Sequence, residues 1–385
     1  MDFEFDEDQA ALSELAGRIL SERSTPERLK EIEAEASAGG DGVDRKLWSD
    51  LAEAGLLAAP LPEESGGAGM GLAGAGVVLE EVGRRAAAVP YLETVLSALA
   101  VERFGSEAVR ESLPAMAAGS LIVTPALTEA QGDLRFPVAT ASPDTDAGGA
   151  SGWKLDGEKI CVPAGMAADA FLVPVMFPDR STGVVFVPAG TAGLTRVRQD
   201  ATAGRPEALV RLSGARVAGD AVLGSDSSGG GSEREEVLDW LVDRVTAALA
   251  LLVAGALDEA LRMTAAYVKE RKQFDRPLAT FQAVGQRAAD AYIDAMGVRL
   301  TAWQAVWRLS VGLPASDEVT IAKYWASEAG QRVVHTCQHL HGGIGMDRDY
   351  PVHRYFLLAK QVDLALGGAA PQLADLGKRI AAAAS

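Results

Sequence analysis

Between Leu121 and Gly224 this chain carries short apolar or alternating runs, and on both sides of that stretch the apolar residues recur at helical spacing. This change of period constrains the fold more than any other feature, because a helical pattern does not settle into a sheet. Residues 1–118 read as helices: "EDQAALSELAGRILSER" sets Ala11, Leu12, Leu15, Ile19 and Leu20 on one face, "RKLWSDLAEAGLL" is a helix ending at Gly55, and two further stretches break at Pro90. Residues 119–224 hold "SLIVTPAL", "GWKLDGEKICVPA", "DAFLVPVMF", "TGVVFVPA" and "LVRLSGARVAG", punctuated by Gly, Pro and Asp. They predict an antiparallel sheet or small barrel, with Asp156-Gly157 as a hairpin turn. "SDSSGGGSERE" at 225–235 reads as a flexible linker. From 236 to 385 the pattern is helical again, with long helices expected at about 236–271, 281–311, 316–340 and 352–381. No internal repeat interrupts this order.

At 385 residues the chain exceeds what one hydrophobic core organises, so several packed units are expected. Its 48% hydrophobic content supplies them. A formal charge of −17 repels nucleic acid and anionic membranes, and any anionic small molecule must be held by local Arg or Lys. Cys161 and Cys337 form no disulfide framework and suit a reducing cytoplasm. "MDFEFDEDQA" lacks the basic start and apolar stretch of a signal peptide. The apolar run near Val245–Leu257 predicts a buried helix and no membrane span. His335 and His339 stand at i, i+4, a chelating spacing, but no third ligand completes a metal site. Neither a Gly-x-Ser-x-Gly elbow nor a Gly-x-Gly-x-x-Gly after a strand occurs, which argues against a serine hydrolase or a nicotinamide enzyme.

Three stretches carry a family resemblance. "AYVKERKQFDRPLATFQ" resembles the Tyr-x-x-x-Arg-x-x-Phe segment of acyl-CoA dehydrogenases, "QHLHGGIGMDRDYPVHRYF" their Gly-Gly loop with the following Tyr-Pro and Arg, and "LWSDLAEAGLLAAPLPEESGGAGMGL" their N-terminal Trp to Gly-Gly segment. The resemblance implies an α+β, mostly α fold: an N-terminal helical domain, a middle antiparallel β-domain and a C-terminal four-helix bundle. It also implies FAD lying across a subunit interface, with one chain holding the isoalloxazine ring and its neighbour the pyrophosphate and adenine. On the gripping side, Arg271 would reach the pyrophosphate, since a guanidinium donates paired hydrogen bonds to phosphate. Phe274 would pack near the adenine, and Gly342 and Gly343 would let the backbone approach. His339 stands where the family usually has Gln. On the ring side, "LTEAQGDL" keeps Thr128 and Glu129 but loses the glycine-rich part, and Cys161-Val162-Pro163 replaces a Trp-Ile-Thr that lies against the flavin.

The family removes the α-proton of a CoA thioester with a carboxylate. Carried over without gaps, the usual Tyr-Glu-Gly places Ala365, Leu366 and Gly367, so that leucine stands where the base belongs. The alternative position on the earlier helix falls at Val245. Asp243, two residues away, faces another side of that helix. The resemblance is closest in look to the non-catalytic subunits of actinobacterial heterotetrameric steroid side-chain acyl-CoA dehydrogenases. It implies an α2β2 assembly with a catalytic homologue, an acyl-CoA substrate and electron-transfer flavoprotein as acceptor. Two alternatives stay open: a self-sufficient homo-oligomer with a base such as Asp243, and a homologue that binds without flavin.

Overall fold

The computed structural model describes residues 5–144, 152–225 and 231–384. Seven helices come first: α1 (Glu7–Arg23), α2 (Pro26–Ser37), α3 (Arg45–Glu53), α4 (Gly71–Arg84), α5 (Tyr91–Phe104), α6 (Glu107–Arg110) and α7 (Leu113–Ala117). Strands β1 (Val123–Pro125), β2 (Thr140–Pro143), β3 (Gly152–Val162), β4 (Ala170–Met176), β5 (Thr182–Pro188), β6 (Leu194–Asp200) and β7 (Pro206–Ala218) follow. The long α8 (Gly231–Glu270) leads through the two-residue strands β8 (Lys272–Gln273) and β9 (Arg276–Pro277) to α9 (Gln282–Ser310), α10 (Ser316–His341), α11 (Val352–Leu364) and α12 (Ala369–Ala384). The order of helix, strand and helix is the expected one. Contacts group the chain differently from its texture. One unit gathers Met1–Leu29, Gly76–Ala87 and Thr246–Ser385, and the other Lys30–Ala75 and Ala88–Val245.

The second unit holds the sheet, ordered β1-β4-β2-β3-β7-β6, with β5 also paired to β4. It is antiparallel apart from β1–β4 and the single Thr140–Met176 pairing of β2 with β4. β4 is apolar along its length and buried from Ala170 to Val175, as a strand covered on both faces must be. β6 lies at an edge and carries Arg196, Arg198 and Asp200, charges that discourage pairing with another chain. Asp156-Gly157 makes no hairpin turn. Both residues lie inside β3 at a bulge opposite β7. Gly157 (φ +142°) is required there because a Cβ would meet Ala139 Cβ at 2.6 Å. Asp156 Oδ1 accepts the Gly214 N–H at 2.8 Å across the bulge.

In the first unit, α4 and α8 cross at backbone contact. A Cβ on Gly83 would collide with the Leu252 carbonyl oxygen, and one on Gly255 with that of Glu80. The buried Glu80 carboxylate accepts from Arg299 Nε at 2.7 Å and Trp303 Nε1 at 2.9 Å, which ties α4 to α9 as well. Gly255→Ala is expected to destabilise the protein by about 3 kcal/mol, the range of core overpacking. Urea unfolding followed by circular dichroism reads this, and an unchanged midpoint would show that the crossing can relax.

α8 has the length and composition to cross a bilayer, but 72% of its apolar stretch is buried within the protein. It begins inside the expected linker, at Gly231, because Glu233, Glu235 and Glu236 favour a helix N-terminus; residues 226–230 of that linker lie outside the described residues. The helix expected over 352–381 is in fact two. α11 stops at Leu364 and α12 starts at Ala369, because Leu366 (φ +55°) and Gly367 (φ +90°) both turn left-handed.

Candidate functional site

α8 ends where Arg271 begins the β8–β9 hairpin. The Arg271 N–H donates to Tyr267 O and the Leu278 N–H to Arg271 O, both at 2.8 Å, so the turn is closed by backbone. The register Gln273↔Arg276 leaves two loop residues, Phe274 (φ +53°) and Asp275 (φ +64°). Two consecutive positive φ values match a hairpin of the I′ kind, normally built with Asn or Gly. A phenylalanine in that conformation is strained, and such strain tends to mark function. Phe274 is 86% exposed, and its ring meets that of Phe281 edge-on at 6.2 Å between centroids. The Arg276 guanidinium lies 4.0 Å over the Phe281 ring. Lys269, Arg271, Lys272 and Arg276 are all exposed. Exposed Glu270 and Asp275 offset two of these four charges, so the tip carries a net +2 in a chain of charge −17.

α10 ends at His341. Gly342 adopts φ +65°, ψ −140°, a region essentially closed to other residues, and its N–H donates to His339 O. Nothing lies within 4 Å of where a Cβ on Gly342 or Gly343 would be, and both residues are exposed, as is His339. His341 itself is 3% exposed. Its ring stacks on Tyr267 at 4.7 Å and 25°, with Nδ1 2.7 Å from Cys337 O and Nε2 3.2 Å from Tyr350 Oη. Arg271, Phe274, His339, Gly342 and Gly343 therefore stand on two exposed turns, one closing α8 and one closing α10.

The residues that the sequence resemblance places on the ring side are engaged by partners within the protein. The Glu129 carboxylate accepts from the backbone N–H groups of Val138 (2.5 Å) and Ala139 (2.9 Å) and from Lys159 Nζ (2.6 Å). Lys159 is fully buried, and burial pulls its ammonium below the ordinary value while Glu129 pulls it back up. Thr128 O accepts the Ile160 N–H at 2.9 Å. Cys161 (φ +50°) is exposed, and its N–H donates to Gln199 Oε1 at 2.8 Å. Burial of its sulfur and the nearby Glu207 carboxylate push the thiol up, which disfavours a reactive thiolate. Pro163 O accepts from Thr124 Oγ1 at 2.7 Å.

Both positions at which the sequence resemblance places a base are apolar. Val245, on α8, is 5% exposed. Asp243 is engaged by Arg135, whose guanidinium donates to it at 2.5 Å and also binds Asp239. Leu366 sits half-buried in the turn after α11, directly after Ala365, the α11 C-cap. Its carbonyl accepts from Gln372 Nε2 at 3.2 Å. Beneath the turn, the wholly buried Lys323 donates to Gly367 O (2.9 Å), Asp363 O (3.2 Å) and Ser327 Oγ (3.0 Å), and burial lowers its ammonium to about 8. Among the described residues no group of three or more His, Cys, Asp or Glu could hold a metal. Lys159, Lys323 and His341 escape a reading of the sequence, since each acquires its role only from partners on other elements.

A helical, β and helical chain with an arginine turn and a paired-glycine turn of this kind defines the acyl-CoA dehydrogenase class. Residues 6–120 match the family described as acyl-CoA dehydrogenase, N-terminal domain, and residues 241–381 the one described as acyl-CoA dehydrogenase, C-terminal domain; the chain belongs to this family. It is 40% identical to the acyl-CoA dehydrogenase FadE27 of Mycobacterium tuberculosis over 392 residues, covering 99% of each chain. Among solved structures it is similar to a variant of the Tcur3481-Tcur3483 steroid ACAD (40% identity, TM-score 0.90, 98% of this chain and 99% of that one). It is likewise similar to the ChsE4-ChsE5 complex from Mycobacterium tuberculosis (39% identity, TM-score 0.90, 99% of each). FAD is the cofactor expected of this family.

Proposed function

We propose that this chain is the non-catalytic subunit of a FAD-dependent acyl-CoA dehydrogenase and lends part of the cofactor site to a catalytic homologue. One observation carries the reading: both positions that the resemblance reserves for the base are apolar, Val245 at 5% exposure and Leu366 in its left-handed turn. Abstraction of the proton α to a thioester needs a carboxylate within hydrogen-bond reach. Asp243 is a poor substitute because Arg135 holds it as an ion pair.

Bound FAD supplies the hydride acceptor. This chain's residues do the holding. Arg271 would donate paired hydrogen bonds to the pyrophosphate, Phe274 would flank the adenine, Gly342 and Gly343 would admit the cofactor close to backbone, and the His339 imidazole would donate where the family has Gln. The cationic tip at 269–276 and the open space over the two glycines fit an anionic dinucleotide edge. The ring side fits poorly: Glu129 is spent on Lys159 and its own loop, and Cys161 offers little stacking area. In this reading the partner is a homologous chain, as in the paired names ChsE4-ChsE5 and Tcur3481-Tcur3483, and the assembly is an α2β2 heterotetramer. The substrate is a CoA thioester with a steroid side chain, the electron acceptor is electron-transfer flavoprotein, and the location is cytoplasmic.

Co-expression with the homologue, followed by a flavin count per chain, tests this. About one FAD per heterodimer is expected, and almost none on this chain purified alone. FAD at a hundredfold its Kd should stabilise the heteromer by about 2.7 kcal/mol and leave the lone chain unmoved. Stoichiometric flavin and acyl-CoA dehydrogenation by the lone chain would overturn the proposal.

A further inference from the structure

The geometry points to Tyr267, His341 and Tyr350 as a clamp that holds the Arg271 turn and the Gly342-Gly343 turn in register, and so as positioning residues for the adenylate half of FAD. This rests on the cofactor-lending role proposed above. The two turns close different helices and share no backbone hydrogen bond among those described. The clamp joins them directly. Tyr267 is on the last turn of α8, and its carbonyl accepts the Arg271 N–H at 2.8 Å. Its main chain is thereby tied to the turn that carries Arg271. His341 is the last residue of α10, bonded covalently to Gly342, and its ring lies against Tyr267 at 4.7 Å.

The hydrogen bonds fix the orientation of that ring. The Cys337 carbonyl only accepts, so Nδ1 at 2.7 Å carries the proton. Nε2 then accepts the Tyr350 hydroxyl at 3.2 Å. Tyr350 also presents its edge to Tyr267 at 6.4 Å, which closes a three-membered cluster. A histidine buried only for packing needs neither the stack nor a fixed tautomer. Here both are present, at the junction of the two turns assigned to the cofactor.

The test uses the co-expressed heteromer with Tyr350→Phe, His341→Phe or Arg271→Ala in this chain, titrated with FAD and with FMN. FMN lacks the adenosine and one of the two phosphates, so FAD binding should respond to the clamp more strongly than FMN binding. Tyr350→Phe removes one hydroxyl and should weaken FAD about fivefold; His341→Phe removes both hydrogen bonds and should weaken it about thirtyfold. For Tyr350→Phe, FMN affinity should fall less than FAD affinity, and the melting temperature of the flavin-free heteromer should not change. Unchanged FAD affinity in both clamp variants, or equal losses of FAD and FMN, overturns the clamp. If Arg271→Ala loses FAD while the clamp variants do not, the clamp alone is wrong. If Arg271→Ala also keeps FAD, the cofactor-lending role falls with it.

Discussion

A heteromer built with Arg271→Ala in this chain is expected to purify nearly colourless. Two charge-assisted hydrogen bonds to phosphate contribute roughly 1.5–3 kcal/mol each, so their loss weakens FAD by about a hundredfold or more. The chain itself should fold as before, because Arg271 is exposed and its described hydrogen bonds are made by backbone atoms. Arg271→Lys keeps the charge but loses the planar fork, and an intermediate flavin content is expected. The ratio of flavin absorbance to protein, measured after gel filtration, reads both variants against the wild type. A wild-type ratio in the Arg271→Ala heteromer would remove this residue from the cofactor site.

Glu129→Ala should damage the fold itself. It strips the partner from a fully buried ammonium and leaves the Val138 and Ala139 N–H groups without their acceptor. Breaking a buried ion pair on one side destabilises by about 3–5 kcal/mol. The deficit should depend on pH with a definite sign. Burial already holds the Lys159 ammonium below its ordinary 10.5, and without Glu129 nothing raises it again. The unfolded chain then binds a proton that the folded chain does not. The variant's stability should therefore rise with pH from the lowered folded value up to the ordinary 10.5. Glu129→Gln, which keeps an acceptor for one N–H, should lose less. Denaturation midpoints of the variant that stay flat from neutral to alkaline pH would show that Lys159 finds another partner or reaches water.

Much of this was legible in local pattern. The continuous apolar run of β4, the alternation of β3 and the helical spacing of α1 each announce their element, and the Arg271 and Gly342-Gly343 turns stand in contiguous motifs. What the sequence hides depends on partners far along the chain. Asp156-Gly157 looks like a hairpin turn, yet its glycine answers to Ala139 and its aspartate to Gly214. Gly83 and Gly255 look like weak spots in helices, and only their crossing explains them. The break at Leu366 was masked because apolar residues continue on both sides of it, although Gly367-Gly368 signalled a stop. A buried Lys323 has no signature at all: its neighbours in sequence are those of any amphipathic helix.

The turn at Leu366 leaves the protein open to redesign. Lys323 and Gln372 grip it through main-chain oxygens, and neither bond involves the side chain at 366. Exchange of that half-buried side chain therefore leaves both hydrogen bonds in place, and a left-handed leucine, disfavoured for an L-residue, is relieved of backbone strain by a residue more tolerant of that conformation. Position 366 is thus a site where a new reagent, an acid, an amide or a spectroscopic label, can be mounted on a bracket held by its own main-chain oxygens.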